Sequence, residues 1–269
     1  MEKSDLFKVL QLIVKASGKI IAIYDTSFGS VEKTDGSPVT EADKAANEII
    51  EKGLVFTQIP LISEETAQST FDIRSKWEKC WILDPLDGTK EFIKKTGEFA
   101  ICLALVENGK PIFGFIASPV EQTILFGGRD FEPRICTFDS IQNEADWKSI
   151  SANFVLNSPL KIAASISHFS EKDAAFISKV EEKFPITYSK KGSALKFFDL
   201  AEGTMDLYPR YSPTMEWDIA AGQAILEVLG GGVFHAETLE PLTYNKEDLY
   251  NPPFIACTKS FLPYLRELE

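Results

Sequence analysis

The stretch that most constrains this chain is Trp81–Phe92, W-I-L-D-P-L-D-G-T-K-E-F. Trp81, Ile82 and Leu83 make a short apolar run bounded by turn residues, the signature of a buried strand. Pro85 has no N–H for a sheet ladder, so the strand is expected to stop there. Asp84 and Asp87 thus fall where strand gives way to turn, with Gly88 free to take an unusual backbone angle beside them. Two carboxylates at such a point suit a hard cation.

Taken alone, two aspartates around a proline serve a turn more often than a reaction, because Asp side chains bond nearby backbone N–H groups. Two further features shift the balance. Glu64 and Glu65 also follow an apolar run, Leu61-Ile62-Ser63, and Asp218 follows Trp217 at the start of a helical pattern. Carboxylates delivered by separate element ends make the oxygen-only cage that magnesium prefers. The net charge of −12 argues against binding a nucleic acid polymer. It permits a small phosphorylated ligand if a metal ion neutralises the carboxylates. The four cysteines are far apart with no C-x-x-C spacing, which reads as reduced thiols in a cytoplasmic protein rather than a zinc site.

Residues 1–24 interleave lysines with Leu6, Val9, Leu10, Ile13, Ile20 and Ile21, which predicts an amphipathic helix and not a signal peptide. Packing on the protein's own core is its expected use, with a peripheral membrane contact as the alternative; no window suits an integral membrane span. Thr40 and Asp43 have capping-box spacing before a helix to about Gly53. Ile101–Glu107 and Pro111–Ser118, joined through Asn108-Gly109-Lys110, predict an antiparallel hairpin, and Ile124–Phe126 a further strand. Periodicity dissolves from Asp130 to Pro159, where the domain boundary is placed. Strand and helix then alternate: Lys161–Ala164, Glu171–Phe184, Ile186–Ser189, a helix after Gly192-Ser193, a helix over Asp218–Leu229, and last strands at Val233-Phe234 and Phe254–Cys257. The chain therefore reads as an α+β half with an antiparallel sheet, residues 1–150, and an α/β half, residues 151–269.

Leu61–Glu65, Trp81–Thr89 and Trp217-Asp218-Ile219-Ala220-Ala221-Gly222 together resemble the inositol monophosphatase superfamily of magnesium-dependent phosphatases. Lys90–Ile93, Gly97-Glu98-Phe99, Asn108–Pro111, Gly192–Phe197 and Leu207-Tyr208-Pro209-Arg210 are similar to the 3'(2'),5'-bisphosphate nucleotidases of the CysQ type. The resemblance covers nearly all of the chain outside about 129–159. It implies a layered α-β-α-β-α sandwich of the inositol monophosphatase/fructose-1,6-bisphosphatase type, and two or more Mg2+ ions per site.

By that resemblance Glu64, Asp84 and the Leu86 carbonyl hold one Mg2+, and Asp84, Asp87 and Asp218 hold a second. Thr89 orients the attacking water with Asp43 behind it and Glu64 beside it, so Asp43, Glu64 and Thr89 are the implied catalytic residues. Gly88 and Thr89 offer N–H groups to the scissile phosphate, while Gly192, Ser193, Lys196, Tyr208 and Arg210 bind substrate. On local sequence alone Asp43 is the acidic member of its capping box, and Ser193 and Lys196 are an N-cap and a solvated lysine. Lys33 reads as a loop lysine near the site, and His168 and His235 as surface or substrate-proximal groups. The nucleotidase relatives often carry Ser-Arg-Ser-His where this chain has Ser165-Ile166-Ser167-His168, which removes a cation. The implied reaction releases the 3'-phosphate of adenosine 3',5'-bisphosphate, or of its sulfated form. The alternatives are an inositol or sugar phosphate phosphatase with the same metals, and a catalytically silent nucleotide sensor.

Overall fold

The computed structural model describes residues 1–26, 29–32, 38–152, 155–166 and 169–268, so Lys33, Ser167 and His168 lie outside the described residues. The amphipathic helix is Lys3–Tyr24, and its Leu6, Val9, Leu10, Ile13 and Ile20 are buried. They pack with Ala42, Ala46 and Ile50 of the second helix, Glu41–Leu54, over one face of a seven-stranded sheet. Each such fully buried aliphatic side chain contributes roughly 1.5–3 kcal/mol of transfer free energy. The first helix is thus used as core.

That sheet takes its strands in chain order, beginning with Leu61–Ser63, Lys79–Asp87, Ala100–Glu107 and Lys110–Ser118. The first pair is parallel and every later pair antiparallel. The predicted hairpin is present, with Asn108 and Gly109 both at positive φ as a tight two-residue turn requires. Two sequence expectations need correction. The strand through Trp81 does not stop at Pro85: it runs to Asp87, because a register shift between Asp84 and Asp87 takes Pro85 out of the ladder. The stretch from Asp130 is also not irregular throughout, since Phe131–Thr137 and Lys148–Ser149 complete the sheet.

Residues 160–257 build a second, five-stranded sheet. Leu160–Ser165 lies parallel to Ile186–Lys191 and to Leu207–Arg210, and Phe254–Cys257 and Gly232–His235 add antiparallel strands. The helix Glu216–Val228 is buried on nearly every side between the sheets, with Ala220, Ala221 and Ile225 in the shared core. A Cβ on Gly114 would fall 2.1 Å from the Ala221 carbonyl oxygen, so this helix touches the first sheet backbone to backbone. Phe176, Ile177 and Val180 of the helix Glu171–Glu181 cover the outer face of the second sheet. The order is helix, sheet, helix, sheet, helix, the layered α/β sandwich that the resemblance implies.

Candidate active site

The two sheets and the central helix meet at a cleft of about 410 Å³. The register shift at Pro85 matters here, because it turns Asp84, Leu86, Asp87, Gly88 and Thr89 toward this cleft from one strand end. The parallel neighbour strand brings Glu64, and the first turn of Glu216–Val228 brings Asp218. Carboxylate oxygens of Asp84, Asp87 and Asp218 lie within 4.8 Å of one another. Residues separated by up to 134 positions (84 to 218) therefore form one cluster.

Each aspartate is oriented by the backbone. Leu86 N–H donates to Asp84 Oδ1 at 2.9 Å, Met215 N–H to Asp218 Oδ2 at 2.9 Å, and Ala194 N–H to Asp87 Oδ2. Burial pushes the Asp84 carboxyl well above the ordinary range, and the charges of Glu64, Asp87 and Asp218 push it further. Burial and Asp87 raise Asp218 likewise. Asp87 is also raised by burial, less freely, because Lys196 and Arg210 lie close enough to favour its charged form. Buried, like-charged oxygens that resist ionisation together are the donor set a hard divalent cation relieves, so these residues fit a metal centre.

Asp43 completes its capping box and also reaches Thr89. Its Oδ2 accepts from Thr40 N–H at 2.8 Å and from the Thr40 hydroxyl, completing the capping box. Its Oδ1 accepts from the Thr89 hydroxyl at 3.1 Å, and Leu86 O lies 3.2 Å from that hydroxyl. Burial raises the Asp43 carboxyl, against the opposing effect of these hydrogen bonds. A threonine whose proton is held by Asp43 keeps oxygen lone pairs free to accept from water.

The second loop differs from expectation. Ser193 is not an N-cap: it sits at φ +48, and the short helix is Lys196–Ala201. Lys196 is not solvated either. It is 3% exposed, its Nζ donates to Lys191 O at 3.0 Å and Ser193 O at 2.5 Å, and it stands 4.9 Å from the centroid of the Tyr208 ring. Burial pushes its ammonium down to about 8. Arg210, 7% exposed, donates to Pro213 O at 3.4 Å, yet its buried Nε has no hydrogen-bond partner among the described residues. Gly192, Ser193, Lys196, Tyr208 and Arg210 all line the cleft, as does Ser165.

Glu65 and His235 do not line it; His235 Nδ1 accepts from the turn amides of Glu237 and Thr238. Glu91, Pro213, Met215 and Tyr250 line it without having been singled out from the sequence for a role there. Glu98 was quoted only within a motif, and its carboxylate accepts from Gly192 N–H at 2.9 Å. That bond ties the loop before Lys196 to the segment packed on Gly88, where Glu98 O would lie 2.9 Å from an added Cβ. Met215 and Tyr250 have no local sequence signal, because they gain their place by pairing with each other across the chain.

Known proteins match this chain in sequence and in architecture. The Escherichia coli (strain K12) protein named 3'(2'),5'-bisphosphate nucleotidase CysQ is 35% identical over 259 residues, covering 93% of this chain and 98% of that one. The Salmonella typhimurium CysQ nucleotidase is 36% identical over 256 residues, with the same coverage. The crystal structure of CysQ from Bacteroides thetaiotaomicron, described as a bacterial member of the inositol monophosphatase family, superposes with a TM-score of 0.86 at 36% identity, covering 96% of this chain and 98% of that one. The Thermotoga maritima IMPase shares the fold at a TM-score of 0.77 and 23% identity, over 100% of this chain and 96% of that one. A family model described as the inositol monophosphatase family matches residues 2–263, and the chain belongs to that family.

Proposed function

We propose that this protein is a Mg2+-dependent phosphatase that removes the 3'-phosphate of adenosine 3',5'-bisphosphate, giving AMP and phosphate. The observation that carries the nucleotide part is Arg210. A guanidinium 7% exposed, whose Nε has no partner among the described residues, lines the same cleft as the three aspartates. A buried unpaired donor costs about 1–3 kcal/mol, more when charged, and an anion in the cleft would satisfy it. Lys196 stands close enough to Asp87 for each to shift the other's titration, so both cations adjoin the metal cluster. Two anion positions so near each other suit phosphates on one ribose. The CysQ name of the relatives supports the same substrate.

Glu64, Asp84, the Leu86 carbonyl, Asp87 and Asp218 would hold the metal ions. Bound there, Mg2+ supplies Lewis-acid charge at the phosphoryl oxygens and lowers the pKa of water toward neutrality. The rest is the work of side chains and amides. Thr89 donates to Asp43 and would accept from the attacking water, fixing its direction, with Glu64, which lines the same cleft, beside that water. Gly88 and Thr89 present N–H groups to the transferred phosphoryl group. Lys196 and Arg210 hold the phosphate that is not cleaved, which fixes the 3'-ester over the aspartates. The alternative substrates, an inositol or sugar monophosphate, would leave the Arg210 donor unused.

Phosphate release from adenosine 3',5'-bisphosphate, inositol 1-phosphate and fructose 1,6-bisphosphate, each with Mg2+ and with EDTA, tests the proposal. The nucleotide should be preferred in kcat/KM and all turnover should vanish in EDTA. A clear preference for the inositol ester would move the assignment to that branch of the family; inactivity on all three would favour a silent binding protein.

A further inference from the structure

The phosphate contacts leave open how the base of a nucleotide is held. We propose that Tyr250 is a specificity-determining residue, a stacking platform for the purine ring of the substrate; this rests on the nucleotidase reading above. Among the described residues, four aromatic rings line the cleft: Phe197, Tyr208, Trp217 and Tyr250. The first three are at most 8% exposed and serve as its walls, whereas Tyr250 is 53% exposed. One exposed tyrosine is unremarkable on a protein surface. This one faces a cleft otherwise committed to carboxylates and cations at its metal end, and Pro213 and Met215 extend the apolar surface beside it.

Its backbone is fixed relative to the metal ligands. Tyr250 pairs with Met215 in a two-stranded antiparallel ladder, whose facing side chains stand about 4.5–5.5 Å apart at Cβ. The buried Asn251 locks that ladder by donating to Met215 O at 2.7 Å and to Thr214 Oγ1 at 3.2 Å. Tyr250 N–H donates to Asp248 Oδ1 at 3.0 Å. Met215 N–H in turn donates to Asp218. A short series of hydrogen bonds therefore registers the strand that carries this exposed ring to the metal cluster. Such preorganisation of the backbone favours an aromatic platform, because the strand need not rearrange when a base stacks on the ring. An inositol or sugar ester has no planar ring to offer this surface.

The test uses AMP, the product, and ribose 5-phosphate, which lacks the base, in titration calorimetry with Mg2+ on the whole protein. Wild type should bind AMP about tenfold or more tightly than ribose 5-phosphate, a typical effect of one base–aromatic stack. Tyr250→Ala should close that gap without changing the affinity for ribose 5-phosphate, and Tyr250→Trp should keep it. An unchanged gap in Tyr250→Ala, no gap in wild type, or an equal loss for both ligands would overturn the proposal. The readout is binding, so its failure is distinct from that of the nucleotidase reading. Turnover of the bisphosphate with an unaltered gap sinks only Tyr250, and a Tyr250-dependent gap without turnover sinks only the reaction.

Discussion

Asp84→Asn should abolish activity and yet stabilise the metal-free protein at pH 7. Asp84 is 2% exposed and its oxygens lie within 4.8 Å of those of Asp87 and Asp218. Two full charges at that distance repel by about 3.5 kcal/mol at an effective dielectric constant of about 20. The folded protein relieves part of this by holding on to protons: burial first, and this repulsion with it, lifts the Asp84 carboxyl above its ordinary value. With the folded pKa raised, the carboxyl's contribution is fully present below the unfolded value of about 3.9 and is lost as pH rises through the folded value. Metal-free wild type therefore loses stability between about pH 4 and neutrality. Asparagine removes one charge and keeps an oxygen for Leu86 N–H, so a gain of about 2 kcal/mol is expected, or roughly 4–8 °C in Tm for a chain of this size. Thermal melts in EDTA across pH 4 to 8 give the comparison. Mg2+ should reverse the order at pH 7, since only wild type gains full binding energy. If the variant melts below wild type in EDTA at pH 7, or its advantage does not shrink toward pH 4, the electrostatic reasoning is wrong.

Thr89→Ala should lower kcat roughly 100-fold or more while Tm stays nearly unchanged, because the hydroxyl it loses bonds Asp43 and Leu86 O among the described residues and, on the proposed mechanism, orients the attacking water. For the bisphosphate, KM should rise above about pH 8 as Lys196 loses its proton, and Lys196→Met should flatten that profile at a uniformly higher KM. Arg210→Ala should raise KM more for the bisphosphate than for a nucleoside 3'-monophosphate, measured side by side. Gly114→Ala should weaken metal binding in calorimetry although it lies outside the cleft, because its Cβ would press on Ala221 and displace the helix that carries Asp218.

The legible parts of this protein were those written locally. The Asn108-Gly109 hairpin and the Thr40/Asp43 capping box need only near neighbours, and both stand in the structure. Asp84 and Asp87 could be grouped because they close one apolar run, whereas Asp218 follows only Trp217 and joined them through the family resemblance. What remained hidden depends on partners distant in the chain. Pro85 ends a ladder by local rules, but a register shift against Ala100–Glu107 lets the strand continue and turns both aspartates the same way. Lys196 looks like a solvated helix lysine until the loop before it folds back and supplies two carbonyls. Ser193 occupies a left-handed conformation that its residue type does not announce. Tyr250 gains a role only when its strand pairs with the one entering the Asp218 helix.

The central claim is that these aspartates act on the 3'-ester while Lys196 and Arg210 keep the 5'-phosphate. Phosphorus NMR of adenosine 3',5'-bisphosphate during turnover with Mg2+ tests it most directly. The 3'-phosphate resonance should decay into inorganic phosphate while the 5' resonance persists as AMP, and nothing should change with Asp218→Ala. Accumulation of adenosine 3'-phosphate, or an unaltered reaction in the Asp218 variant, would contradict it.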